Sequence, residues 1–518
     1  MLGFLAHPNP GFEGLGSGGQ SNPGWAGAAP VAVSASADPV LPFGPDHSHD
    51  AVLEQMAVRG GVATNEGYVA SFERKARGLA PARFGGLLGP LLNLVVGRSQ
   101  RSKPVAEGVG PLVMRCQPES NVPVLSRLAR DFAVSDHWFC SVPGETWPNR
   151  NFLHAGTSDG ETSIEIRPYT DRTIFELLED HGATWRVYHD DTPQLWAFPK
   201  LWDTPARHGN WFPAAKFAVH AAAGDLPAYT FIEPNHRPPI HLPGAPTGPG
   251  LSNSQHPDNN LTPPGGYDGD LAATDFGRGE ALIAQVYEAL RANPALFART
   301  LLVITYDEHG GLYDHVPPPS GVPAPGDPPS RLARILRALW HRRAQAFDFT
   351  MLGPRVPAVI VSPLIPAGTV DHRVRDHASV PATVRALFAP DAAPLTARDA
   401  WSPAFHDLAS LPEPRTDLPD LSPHIHTTAA VLPPTVTAAT TLSGPLPTPT
   451  PHHYQDFVRQ AEAVRDHLAT LNEPETPPPT DPHLAAEVTL AFAKAAHRHR
   501  HESPTTPRRR SVPMLTGG

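Results

Sequence analysis

Along the chain, apolar positions change period again and again, and the changes mark the elements. TIFELLED, from Thr173 to Asp180, has helical spacing and ends near Gly182, a plausible left-handed stop; TWRVY, Thr184 to Tyr188, then reads as a strand. AYTFI, Ala228 to Ile232, is a second strand. GEALIAQVYEALRA, Gly279 to Ala292, puts Leu282, Val286 and Leu290 on one face and stops before Asn293-Pro294. TLLVITY (Thr300 to Tyr306) and VPAVIV (Val356 to Val361) are short, nearly continuous apolar runs, as expected of central strands buried on both faces. Ser379 to Phe388 follows as a short helix. Upstream, the mostly apolar VPVLSRL (Val122 to Leu128) leads into the strand-like FAVSDHWF. Strand and helix alternating over most of residues 45 to 400 predict an α/β fold, a mostly parallel central sheet flanked by helices.

Composition sharpens the boundaries. Of 518 residues, 64 are Pro and 42 are Gly. That is about a fifth of the chain, against a usual share of roughly 12%. The excess gathers in residues 1 to 45, in two insertions (His236 to Asp275, and Pro317 to Arg343 with its basic RLARILRALWHRR), and after residue 410. Residues 1 to 410 therefore read as one catalytic-size domain. Residues 411 to 518 read as a Pro/Thr-rich linker with accessory helices at 454–471 and 483–500, partly disordered.

A net charge of −10 argues against nucleic acid as partner, so a charged substrate would need a local cationic site. Two cysteines, Cys116 and Cys140, exclude a cysteine zinc cluster and leave a single disulfide open. No apolar run is long enough to span a membrane. The first residues lack a basic stretch followed by an apolar one, so no signal peptide is written here.

Two segments carry chemistry. Tyr306-Asp307-Glu308-His309-Gly310-Gly311 ends an apolar strand, where open α/β sheets bind ligands. Adjacent carboxylates with an imidazole suit one divalent metal ion (Zn, Mg, Ca or Mn), although a polar turn with a capping Asp has the same residues. CSVPGETWPNRNF presents Thr146 after a Pro-Gly turn, either as a nucleophile activated by a metal or as a helix cap. Asn149 and Arg150 follow with donors suited to phosphate oxygens. His47, His49, His256, His315 and His377 are scattered candidates for a general acid. Ser362 lacks the glycine-flanked elbow of a serine hydrolase, and no phosphate loop or dinucleotide fingerprint occurs.

In order, GPDHSHDAVLEQ, VPVLSRLARDFAVSDHWFCSVPGETWPNRNF, TIFELLEDHGATWRVYHDD, DLPAYTFIEP, QHPDN, GEALIAQVYEALRANP, TLLVITYDEHGGLYDHVPPP, FDFTMLGPRVPAVIVSPLI and DHASVPATVRALF cover most of residues 45 to 390. Together they resemble the bacterial phosphoesterase family of secreted phospholipases C and an acid phosphatase, a branch of the alkaline-phosphatase-like superfamily. The resemblance implies Thr146 as nucleophile of a phospho-enzyme, with His256 and His309 as further catalytic groups. It implies Asp307, Glu308 and Thr146 around the metal, and His47, Asn149, Arg150 and His377 on the substrate. The implied substrate is a phosphoester, including phospholipid. A choline headgroup would call for an aromatic cage, for which Trp138, Trp147, Trp196, Trp202 and Trp211 qualify by residue type.

The pattern departs from the family at one point. Members carry Glu-Asn-Arg-Ser-Phe-Asp-His on a first strand, whose Glu and Asn complete the metal shell; here Met1-Leu2-Gly3-Phe4 corresponds to the residues after it. The expectation is a catalytic domain lacking its first strand, with its export signal lost in the same segment. Two alternatives stand beside the hydrolase: an inactive phospho-ligand-binding or surface protein of the same fold, and a sulfatase. Thr146-Trp147-Pro148-Asn149-Arg150 has the spacing of the sulfatase signature, but threonine cannot become formylglycine.

Overall fold

Local signals place the helices. Thr173 opens Ile174–Asp180 with a capping box: Glu176 N donates to its hydroxyl at 3.4 Å, and Thr173 N donates to the Glu176 carboxylate at 2.9 Å. Gly182, at φ 72°, takes the left-handed conformation beyond its end. VPVLSRL is helical, because Pro123 starts a turn and Val124, Leu125, Leu128 and Ala129 then bury one face. The strand that follows is confined to Ala133–Ser135.

The computed structural model describes residues 1–16, 18–37, 44–79, 106–165, 167–189, 193–202, 204–234, 253–257, 276–326 and 347–425. Most of the two insertions, and the helices expected at 454–471 and 483–500, lie outside the described residues. Its helices are α1 His49–Gln55, α2 Tyr68–Ala76, α3 Pro123–Asp131, α4 Thr146–Ala155, α5 Ile174–Asp180, α6 Pro205–His208, α7 Lys216–Ala222, α8 Gly277–Arg291, α9 Pro294–Phe297, α10 Ser379–Phe388 and α11 Ala397–Trp401. Its strands are β1 Ser21–Asn22, β2 Val31–Ala32, β3 Ala133–Ser135, β4 Trp185–His189, β5 Trp211–Pro213, β6 Tyr229–Ile232, β7 Leu302–Thr305, β8 Ala358–Val361 and β9 Thr369–Asp371.

β1 and β2 form a small antiparallel pair. The rest make two sheets, in the orders β5-β4-β6 and β7-β8-β3-β9. The first is parallel throughout; in the second, β8 runs antiparallel to both β7 and β3, and only β3–β9 is parallel. The mostly parallel sheet expected from the alternation is thus corrected to a mixed α/β arrangement. Apolar run length reports burial and carries no strand direction, which is why β8 was misjudged.

Alternate side chains of these strands feed two core layers. Ala133, Ile360, Trp185 and Val187 pack with α4, α5 and α10 in one layer. Val134, Val359, Val361 and Tyr188 pack with α3, α7 and α8 in the other. Both layers draw on both sheets, so the sheets lie in one plane between two helical layers. Leu418, Leu421 and Ile425, beyond the domain limit expected at residue 410, also pack into the second layer.

Between the sheets is a gap. A cavity of about 750 Å³ is lined by every residue of β6 and β7, and it runs on to Arg150, Asp307, Glu308, His256 and His377. TLLVIT, expected in the centre, is an edge strand among the described residues, as is AYTFI. β8 is fully buried, whereas every residue of β6 and β7 is only partly so.

Candidate active site

The site gathers where β6 and β7 end and α4 begins. Pro143-Gly144 turns the chain into α4, and Gly144 is required by space: a Cβ there would stand 2.6 Å from the Thr162 carbonyl oxygen. His49 Nδ1 donates to the Pro143 carbonyl. Behind the turn, Ser141 Oγ donates to Asp376 at 2.9 Å, and Asp376 pairs with Arg398 at 2.9 Å, both ions wholly buried.

Thr146 is the first residue of α4, and the Ncap position belongs to Glu145. Asn149 is fully buried. Its Oδ1 accepts from Val142 N at 3.0 Å, and its Nδ2 donates to the Val142 and Glu145 carbonyls at 3.1 Å. These bonds engage both ends of the amide, which therefore shapes the turn. Arg150 lies one helical turn from Thr146, on the same face. Its Nε donates to Asp307 Oδ2 at 2.8 Å and its Nη1 to Glu233. Burial opposes the guanidinium's charge, but Glu233 and Asp307 hold its pKa above the ordinary value.

β7 delivers Asp307 and Glu308. Asp307 Oδ1 accepts from Glu308 N at 2.9 Å, so that carboxylate serves Arg150 and the local turn. Glu308 faces the imidazoles: His256 Nε2 is 3.4 Å from its Oε1, and the His47 and His256 rings meet edge-on at 4.9 Å. Donor atoms of His47, His256 and Glu308 lie within 4.8 Å of one another, a set of types that could hold a divalent ion. Burial would raise the Glu308 pKa, but His47, His256 and His309 outweigh it and hold it at about 2.

His309 and His377 are placed differently. The His309 Nε2–H donates to Gln55 Oε1 at 2.7 Å, and burial pushes the ring down to about 4, so it is neutral near pH 7. His377 Nε2 donates to the Asp307 carbonyl at 2.7 Å while its Nδ1 accepts from Trp138 Nε1 at 3.3 Å. Both ring nitrogens are used, and His377 fixes the β7 terminus.

Sequence reasoning missed Glu233, Gln55 and Asp376, and offered His49 only as a candidate general acid. Glu233 was within reach, since it follows β6 as Asp307 follows β7; the others depend on tertiary contacts. Cys116 and Cys140 are free thiols, which answers the disulfide question. Of the tryptophans, Trp138, Trp147 and Trp202 are core residues.

A hydroxyl at a helix start, a clamped guanidinium, an acidic pair and clustered imidazoles at strand ends are groups that suit phosphoryl transfer. The chain belongs to the Phosphoesterase family, whose model matches residues 29–389. It is 32% identical to non-specific phospholipase C6 of Arabidopsis thaliana over 440 residues, 82% of this chain and 72% of that protein. It is 33% identical to non-specific phospholipase C3 of the same plant over 343 residues, 64% of this chain and 59% of that protein. Phospholipase C B of Mycobacterium tuberculosis is 29% identical over 316 residues, covering 57% of this chain and 56% of that protein. The relatives are thus plant as well as bacterial, and the chain spans from about half to nearly three quarters of their lengths. At family level, the activity is hydrolysis of phosphoric esters.

Proposed function

We propose that this chain hydrolyses a phosphodiester or phosphomonoester of phospholipase C type, with Thr146 as nucleophile. One observation carries the reading: Thr146 heads α4, and Arg150, one turn on, grips the Asp307 that ends β7. The N-terminal end of a ten-residue helix, together with a guanidinium, favours phosphate there. The Thr146 oxygen forms a bond to phosphorus, the bond from phosphorus to the leaving oxygen breaks, and the hydroxyl proton is released to solvent. His256, beside Glu308, gives the leaving alkoxide its proton. Water then displaces the Thr146 oxygen, restoring the hydroxyl and freeing the phosphate product.

The donor types of Glu308 and His47 fit a divalent ion, which when bound would offset phosphate charge in a protein of net charge −10, while His256 stays outside that shell and keeps its proton. The resemblance adds Asp307 and Thr146 to that shell. Asp307 would then have to exchange Arg150 for the metal.

The cavity between β6 and β7 supports one further element of the reading. An extended strand in that gap would join the two sheets and end between Glu233 and Asp307, where the resemblance requires a Glu-Asn pair.

The Asp307–Arg150 pair favours the second reading, an inactive phospho-ligand-binding protein. Turnover of a nitrophenyl phosphoester separates the two. The expected result is loss of roughly a thousandfold or more in Thr146→Ala, with Thr146→Ser active and both folded as the parent. An equally active Thr146→Ala overturns the proposal. Metal content supplies an independent check, and a stoichiometric ion lost in Glu308→Gln supports the enzyme.

A further inference from the structure

A second group of ligand-type side chains lies outside the cavity, at the opposite edge of the mixed sheet. β3 and β9 are parallel and pair Ser135 with Asp371, so the next residues, Asp136 and His372, emerge side by side at the strand ends. His137 follows Asp136 directly. The Asp136 carboxylate is 1% exposed and stands between two imidazoles, 2.8 Å from His137 Nδ1 and 2.9 Å from His372 Nδ1. The outer nitrogen of His137 meets Glu13 Oε2 at 3.2 Å, and Glu13 N donates to Asp136 Oδ2 at 2.9 Å.

We propose that Asp136, His137 and His372 form a second divalent-metal site, for a zinc-type ion, with Glu13 as its outer-shell carboxylate. Donor atoms of the three residues lie within 4.8 Å of one another, as a shared ion requires. Two imidazoles and one carboxylate are ligands that suit zinc, cobalt or nickel over magnesium or calcium. A metal-bound histidine ordinarily donates its remaining N–H to a carboxylate, which is the relation of His137 to Glu13. Three protein ligands leave a position for water, and His372, 54% exposed, leaves the site open to exchange.

The local charge suits a dication. Asp136 and Glu13 supply two negative charges. The nearby cation, Arg355, donates to the Asp136 carbonyl at 2.6 Å, but its guanidinium is paired with Asp314 at 2.7 and 2.9 Å. A metal here would fasten the amino-terminal segment bearing Glu13 to the β3–β9 edge. Its effect would be on stability, away from the Thr146 side of the molecule.

The test is titration of the full, chelator-stripped chain with zinc alone, followed by calorimetry and the unfolding midpoint, and with cobalt, followed by its visible spectrum. A tightly bound equivalent is expected to persist in Glu308→Gln and to disappear in His372→Ala. Glu13→Gln is expected to weaken it by roughly tenfold or more. The metal-induced rise in midpoint should vanish in His372→Ala, whose exposed side chain can be removed without a core defect. Unchanged zinc affinity and cobalt spectrum in both His372→Ala and Glu13→Gln would overturn the proposal. So would a parent whose only bound equivalent is lost in Glu308→Gln.

Discussion

Arg150 concentrates the electrostatics of the site in one side chain. It spans Glu233 from β6 and Asp307 from β7, so its removal leaves two carboxylates without their shared cation. Arg150→Ala should destabilise the fold by about 3–5 kcal/mol, read by denaturant unfolding, and abolish turnover. Lysine cannot fork between two acids, so Arg150→Lys should recover little of either. His309 gives a pH test. Its folded pKa of about 4 makes it neutral at pH 5 and above, so it cannot be the proton donor near neutrality. His309→Gln should therefore leave the shape of the kcat/KM profile unchanged from pH 6 to 8. Asp307 and Glu308 were legible because an acidic pair at the end of an apolar run is conspicuous. Glu233 follows the same logic with a single acid and passed unnoticed, and the approach of His47 to His256 exists only in the folded chain.

Among the elements, α8 is tied to the start of α3 by one buried carboxylate. Glu280 accepts from Val124 N at 2.6 Å, Leu125 N at 3.0 Å and Gln255 Nε2 at 2.9 Å. Burial nevertheless outweighs these donors and raises its pKa from 4.5 to about 7. Folding therefore takes up a proton between those values. The stabilisation is complete below about pH 4.5 and is lost as pH rises through 7, a change on the order of 3 kcal/mol. Unfolding free energies measured from pH 4 to 8 should show this decline in the parent and not in Glu280→Gln; equal slopes would refute it. At this scale the sequence was most readable where a period and a cap coincide, as in α5, and where the apolar period is regular, as in α8. It was least readable for β6, β7 and β8, since composition distinguishes neither an edge strand from a central one nor one direction from the other.

Among the described residues, the two larger sheets lie in one plane, separated by a cavity that opens onto the candidate site. The family and the three-layer class were legible from the order of motifs; the gap shows only once the strands are placed. The central claim is that Thr146 becomes covalently phosphorylated. It is tested most directly by acid-quenching the enzyme during turnover of nitrophenyl phosphate and mapping the product by mass spectrometry. The account predicts one phosphoryl group on the peptide containing Thr146, absent from Thr146→Ala. Sustained turnover with that peptide unmodified would contradict it.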